Sequence, residues 1–397
     1  MADSTTNDPE DHTNGAAGAA ASNGTADDHD ADADVDDDQA FMINPALHVV
    51  FCGNDEVLVL HGSRSDFRQV IRDEGQTKVL GRVLRHMDEP DSLADLRDRG
   101  VLAADEMDDA RSMVDHLDGE DVLVEPARRL AAIYMDTLHG EAAPLTDLTV
   151  GVVGAGPFGS RVADELARLD VGCLHVLDDR ATTNPDIDRR QFGGATPFVE
   201  KTRSYVDALG DYLEAVGYEG EYVASPHAVT QEDALQSLVD DADFVVAASE
   251  VFTSGLFHAI DDQTIRAETP WMSAFLDGSE ACIGPIYVPG ETCYNEFEIQ
   301  FEAALSISET DYYAYKETMN EHGWAETRLA LPAHLSTAAG LTAGATASFL
   351  ATSTSYLVGR SLRLNFEKPY VDYEEVLRLP RTPTATSTRQ GYRHTFM

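Results

Sequence analysis

Residues 145–153 read as a buried strand, and Gly154-Ala155-Gly156-Pro157-Phe158-Gly159 follows directly and opens a helical pattern. This order of strand, glycine-rich turn and helix constrains the chain more than any other feature. Glycines at that spacing let the backbone turn tightly and approach a phosphate group at the positive end of the helix. A second strand pattern, 173–177, leads into Asp178, about 20 residues on, where a carboxylate can accept ribose hydroxyls. The pattern points to a nucleotide, although a fold of this kind that has lost its ligand keeps the same glycines.

Strand patterns at 173–177, 221–224, 244–248 and 271–276 alternate with helical stretches at 159–169, 199–216 and 231–239. Such alternation gives an α/β fold with a mainly parallel sheet flanked by helices. Further on, 335–358 is rich in Ala, Gly, Ser and Thr. It reads as one long helix, buried or in an interface, and is too polar for a membrane span.

Ahead of the sheet, the β-rich runs 47–51 and 57–60 flank Gly53-Asn54-Asp55, a hairpin signal, and a third strand covers 67–71. Helical spacing follows at 76–87, at 92–99 with Ser92 as N-cap, and at 105–117. Three strands and three short helices make a winged-helix-like α+β unit. Residues 1–40 hold no Lys, Arg, Phe, Trp or Tyr, so they cannot bury enough surface to offset ordering entropy. The expected organisation is a disordered acidic tail over 1–40, a winged-helix-like domain over 41–128 and the α/β domain over 129–397.

The 28 Lys and Arg stand against 71 Asp and Glu, a formal charge of -43. Self-repulsion of that size disfavours a compact chain unless salt screens it, and at molar salt the screening length is about 3 Å. An acid excess spread along the whole chain fits the cytoplasm of a halophile. It argues against nucleic acid as a partner, since phosphate contacts need a basic face. The four cysteines, Cys52, Cys173, Cys282 and Cys293, have no pairwise metal spacing, so neither a disulfide framework nor a cysteine zinc site is expected. The first residues lack the basic-then-apolar pattern of a signal peptide.

From the second strand the chain runs Asp178-Asp179-Arg180-Ala181-Thr182-Thr183-Asn184-Pro185-Asp186-Ile187-Asp188-Arg189-Arg190-Gln191-Phe192, with Lys201 later. In this stretch it resembles the ThiF/MoeB adenylating family, whose Rossmann-like domain surrounds ATP with an aspartate, an Asn…Arg-Gln stretch and a later lysine. The resemblance implies that Asp178 holds the ribose and that Arg190 and Lys201 hold the triphosphate over Gly154, Gly156 and Gly159. Glu250, the nearest acid after the fourth strand, would hold Mg²⁺. Cations at these places would neutralise a pyrophosphate leaving group. The chain departs from the family in three ways: the loop before Arg190-Gln191 is one residue longer, Asn184 is displaced, and Glu250 replaces an aspartate.

Two further segments, Ile283-Gly284-Pro285-Ile286-Tyr287-Val288-Pro289-Gly290-Glu291-Thr292-Cys293-Tyr294-Asn295-Glu296 and Leu379-Pro380-Arg381-Thr382-Pro383-Thr384-Ala385, resemble paired segments of the ThiF-like proteins that serve YcaO cyclodehydratases in making thiazole- and oxazole-containing ribosomal peptides. In those relatives two CxxC pairs hold zinc. Here three of the four ligand positions are Glu296, Thr382 and Ala385, and one thiol cannot build a tetrahedral site, so no zinc is expected. The front unit is similar to the PqqD-like domains that often open such proteins, which implies a precursor leader peptide added beside the third strand and against the third helix. Arg64, Arg68, Arg72, Lys78, Arg82, Arg85, Arg97 and Arg99 account for eight of the 28 basic residues. Arg64, Arg68, Arg72, Arg82 and Arg85 are candidates for contacting an acidic peptide, and a set of cations solvating short elements reads equally well.

Two functions follow from these resemblances. One is a leader-binding scaffold that presents a precursor to a YcaO-type ATPase, with a nucleotide pocket that has lost its use. The other is a working adenylating enzyme that activates the C-terminus of a peptide or sulfur-carrier protein with MgATP. A hydride-transfer enzyme would keep the glycines but leave the front unit unexplained. Relatives in the adenylating family are homodimers, so a symmetric dimer is expected.

Overall fold

A computed structural model describes residues 36–53, 55–65, 67–140, 142–181, 191–199, 204–304, 309–322 and 329–379. The front unit contains two small sheets. One is the expected hairpin and third strand, β2 (His48–Phe51), β3 (Glu56–Leu60) and β4 (Arg68–Arg72), all antiparallel. The other is formed by β1 (Ala40–Ile43) between the two-residue strands β5 (Asp91–Ser92) and β6 (Leu123–Val124). This second sheet has no signal in the sequence, because its outer strands are too short to show an alternation.

Helices α1 (Val79–His86), α2 (Leu93–Asp98) and α3 (Met107–Gly119) lie close to their expected places. Ser92 caps α2, its side chain accepting from the Asp95 amide at 3.2 Å. Val79, Leu80, Val83 and Leu84 of α1 and Ala110, Val114 and Leu117 of α3 pack with Val57, Val59 and Phe41 in one core. Within the expected tail, Asp37 pairs with Arg111 of α3 at 2.7 Å, so the described part from Asp36 onward is tied to the front unit. Residues 1–35 lie outside the described residues.

After α4 (Leu130–His139) comes an eight-stranded sheet in the order β14-β13-β12-β11-β10-β7-β8-β9. The strands β7 (Thr149–Val153), β8 (Cys173–Leu177), β9 (Glu221–Ser225), β10 (Phe244–Ser249) and β11 (Trp271–Asp277) pair in parallel. β12 (Glu280–Tyr287), β13 (Arg360–Asn365) and β14 (Tyr370–Glu375) extend the sheet antiparallel. A period of two sorts side chains between the faces: Val150, Val152 and Val246 enter one apolar cluster, and Val153, Val245 and Ala247 the other. Helices α5 (Gly159–Arg168), α6 (Tyr205–Ala215), α7 (Glu232–Asp241), α8 (Ser254–Ala267), α9 (Tyr294–Ala303), α10 (Glu309–His322) and α11 (Pro332–Thr352) accompany the sheet. The long small-residue helix expected at 335–358 is α11; it stops at Thr352, where Ser353 takes a left-handed conformation. No helix among the described residues is long and apolar enough to cross a membrane.

Candidate functional site

At the end of β7 the chain turns through Gly154, whose φ of 111° is open to glycine and costly for other residues. Gly159 begins α5, and a Cβ there would lie 1.9 Å from the Gly154 carbonyl oxygen. Only glycine lets the helix start so close to the strand. The turn sits where β7 has β8 on one side and β10 on the other, the crevice at which open α/β sheets bind ligands.

Asp178 follows β8 and is fully buried. Its Oδ2 accepts from the Ala155 amide at 2.7 Å, so the carboxylate reaches the glycine turn. Glu250 follows β10, and its Oε1 accepts from the Phe158 amide at 2.9 Å at the start of α5. Gly154, Gly156, Gly159, Asp178 and Glu250 therefore meet in one place. Arg190 and Lys201, the two expected triphosphate cations, lie outside the described residues, as does Asn184.

Sequence reasoning gave no role to the residue that joins these groups. Arg180 donates through Nη2 to Asp178 Oδ2 at 2.7 Å, through Nε to Asp178 Oδ1 at 3.0 Å and through Nη1 to Glu250 Oε2 at 3.1 Å. Its side chain is 8% exposed. Burial works against its charge, but the two carboxylates outweigh that and hold the guanidinium above the ordinary arginine range. The one available signal was a cation two residues beyond Asp178.

In this arrangement the space over Gly156, which the glycines would leave to a nucleotide, holds the ends of two of the protein's own side chains. A Cβ added to Gly156 would lie 2.4 Å from Glu250 Oε1 and 2.8 Å from Arg180 Nη2, so the space left by the missing side chain is filled by the protein itself. Both Glu250 oxygens are engaged, one with the Phe158 amide and one with Arg180. No group of three or more His, Cys, Asp or Glu suited to a metal occurs among the described residues.

Further along the chain, a partly buried cluster around Glu298 ties α8 to α9 and α10. Ser254 Oγ donates to Glu298 Oε1, His258 Nε2 lies 2.7 Å from Glu298 Oε2, and Lys316 Nζ lies 2.7 Å from Glu298 Oε1. Burial alone would raise the Glu298 carboxyl, but the hydrogen bond and charge of His258, with the hydrogen bonds of Lys316 and Ser254, prevail and hold it at about 2.

Of the two segments expected to match the YcaO partner proteins, the first meets Leu379, the one described residue of the second. Cys293 is buried and stands at the N-cap of α9. Glu296, also buried, accepts from the Cys293 amide through Oε2 at 3.2 Å and from the Leu379 amide through Oε1 at 2.9 Å. Gln300 adds two bonds to the Leu377 backbone, at 2.9 and 3.0 Å. Thr382 and Ala385 lie outside the described residues. Cys173 and Cys282 are strand residues, and burial pushes both thiols up.

In the front sheet, Val50, Leu58 and Val70 are cross-strand neighbours. Val50 and Val70 are 46% and 47% exposed. Both edges, β2 and β4, are unpaired among the described residues. The five candidate arginines divide. Arg64 and Arg68 are exposed, with no ion pair among the described residues; Arg72 pairs across the hairpin with Glu56 at 2.8 Å. Arg85 lies 4.6 Å from the centre of the Phe51 ring. Arg82 binds Glu106 and the Val101 carbonyl, so its charge is engaged within the unit.

Among solved structures, Escherichia coli MccB with ATP has 16% identity and a TM-score of 0.58, covering 87% of this chain and 99% of its own. The microcin C7 biosynthetic enzyme MccB in complex with N-formylated MccA has 16% identity and a TM-score of 0.59, covering 88% of this chain and 100% of its own. PaaA has 15% identity and a TM-score of 0.57, covering 84% and 99%. At such identities the likeness is one of fold. No curated protein matches the chain in sequence. The ThiF family model matches residues 131–379, more than half of the chain and the whole of the eight-stranded sheet; the chain belongs to the ThiF family.

Proposed function

We propose that the chain is a leader-binding scaffold that presents a ribosomal precursor peptide to a YcaO-type ATP-dependent cyclodehydratase. The observation that carries this reading is the front sheet, with an open β4 edge, a Val50–Leu58–Val70 row whose two valines are exposed, and Arg68 beside it. A strand added at such an edge gains main-chain hydrogen bonds, while apolar contacts and cations select its sequence. This PqqD-like role is assigned to residues 41–128, and the ThiF-type unit over 129–397 docks the partner enzyme. The meeting of Glu296 with Leu379 supports the likeness to YcaO partners, because Leu379 opens the second of the two segments that carry that likeness. The MccB structures with MccA concern a peptide-handling enzyme of the same fold.

The test is titration of the full-length chain with synthetic leader peptides from any precursor encoded nearby, at molar KCl to screen the formal charge of -43. Saturable binding, weakened by Val70→Asp and by Arg68→Ala, is expected. Binding unaffected by either change would remove the front sheet from the function. The alternative, an MgATP-dependent adenylating enzyme, is favoured by the gathering of Asp178 with the three glycines. It predicts ATP–pyrophosphate exchange in the presence of the peptide, which the scaffold reading does not.

A further inference from the structure

We infer that Arg180 and Glu250 form a resident plug in the nucleotide seat, so that the resting chain excludes ATP by its own side chains. The seat has two features a phosphate would use, the cleared space over Gly156 and the positive N-terminal end of α5. Glu250 takes both: its Oε1 receives the Phe158 amide at 2.9 Å and would be 2.4 Å from a Cβ on Gly156. A protein carboxylate thus stands in the phosphate's position.

Arg180 makes that placement stable. Two buried carboxylates, Asp178 and Glu250, would repel one another, and a guanidinium forked between them satisfies both. The remaining negative charge is met by the Ala155 and Phe158 amides. Arg180 is itself held from behind, its carbonyl accepting from the Tyr205 amide at 3.0 Å and its guanidinium lying 5.7 Å from the centre of the Tyr205 ring. The carboxyl end of Glu250 is therefore no loose side chain that yields to a ligand. ATP would have to displace Glu250 from the α5 amide, and a ribose hydroxyl would compete with Arg180 for Asp178. That displacement lowers apparent affinity by the fraction of molecules in which the plug is out. The inference is independent of whether the front sheet binds peptide.

A fluorescent ATP analogue with Mg²⁺, titrated into the full-length chain, tests it. The wild-type chain should bind at least about tenfold more weakly than the Arg180→Ala/Glu250→Ala variant. Equal affinity, tighter binding by the wild type, or no binding by either protein would overturn the plug. A second measurement does not depend on that variant's folding. In the wild-type chain without nucleotide, hydrogen exchange at the Phe158 amide should be strongly protected and should stay unchanged on addition of MgATP. Fast exchange in the nucleotide-free protein, or new protection on adding MgATP, would equally overturn it.

Discussion

Glu296 accepts the Leu379 amide at 2.9 Å and the Cys293 amide at 3.2 Å, so one buried carboxylate joins the start of α9 to a segment 83 residues further along. Glu296→Ala removes both acceptors and leaves two amides short of a partner, which should cost about 1–3 kcal/mol. Glu296→Gln keeps one acceptor and should lose less. Denaturant midpoints measure both, and an unchanged midpoint for Glu296→Ala would contradict the role. Elemental analysis of the purified chain should find no zinc; one zinc per chain would overturn that expectation.

Arg82 and Arg68 should separate cleanly. Arg82 is tied to Glu106 and the Val101 carbonyl, so Arg82→Ala should lower stability by about 1 kcal/mol and leave peptide affinity alone. Arg68 is an exposed edge-strand residue, so Arg68→Ala should change stability by less than about 0.5 kcal/mol and weaken peptide binding. The reverse pattern in paired unfolding and binding measurements would move the peptide site away from β4.

Glu298 sets an acid limb of stability. Its carboxyl is held at about 2 in the folded chain against an ordinary 4.5, a depressed value that favours the folded state above pH 4.5 and loses that contribution as pH falls through about 2. The difference amounts to about 3 kcal/mol. His258 and Lys316 face it, with Glu302 sharing Lys316 at 2.8 Å. Stability measured against pH should fall over this window in the wild-type chain and less steeply in Glu298→Gln.

The proposed dimer has a candidate surface around α11. A cavity of about 540 Å³ is lined there by Gly340, Gly344, Leu341, Tyr356 and Tyr373 among others. A Cβ on Gly344 would meet nothing within 4 Å in the same chain, so Gly344→Leu should leave the monomer folded, and its helix propensity favours α11. Light scattering at molar KCl should give a dimer for the wild type and a monomer for Gly344→Leu. A wild-type monomer, or a dimer in both, would exclude this surface.

The sequence by itself determined the elements whose reasons are local. Runs of apolar and β-branched residues placed β7, β8 and β3, helical spacing placed α1 and α3, and the glycines placed the turn before α5, since each depends on neighbours within one or two turns of chain. What it left open was decided in three dimensions. The antiparallel extension of the sheet by β12, β13 and β14 needs partners far apart in sequence, and the short β5 and β6 exist only because β1 lies between them. Likewise, Arg82 reads in the sequence as one more cation in a basic stretch, and only packing sets it against Glu106. Arg180 is the clearest case. Its partner Glu250 is 70 residues away, and whether a glycine-lined seat receives a phosphate or a carboxylate of the same chain depends on where the ends of β8 and β10 bring those side chains. Periodicity tells which face a side chain takes; only the assembled sheet fixes what it meets there.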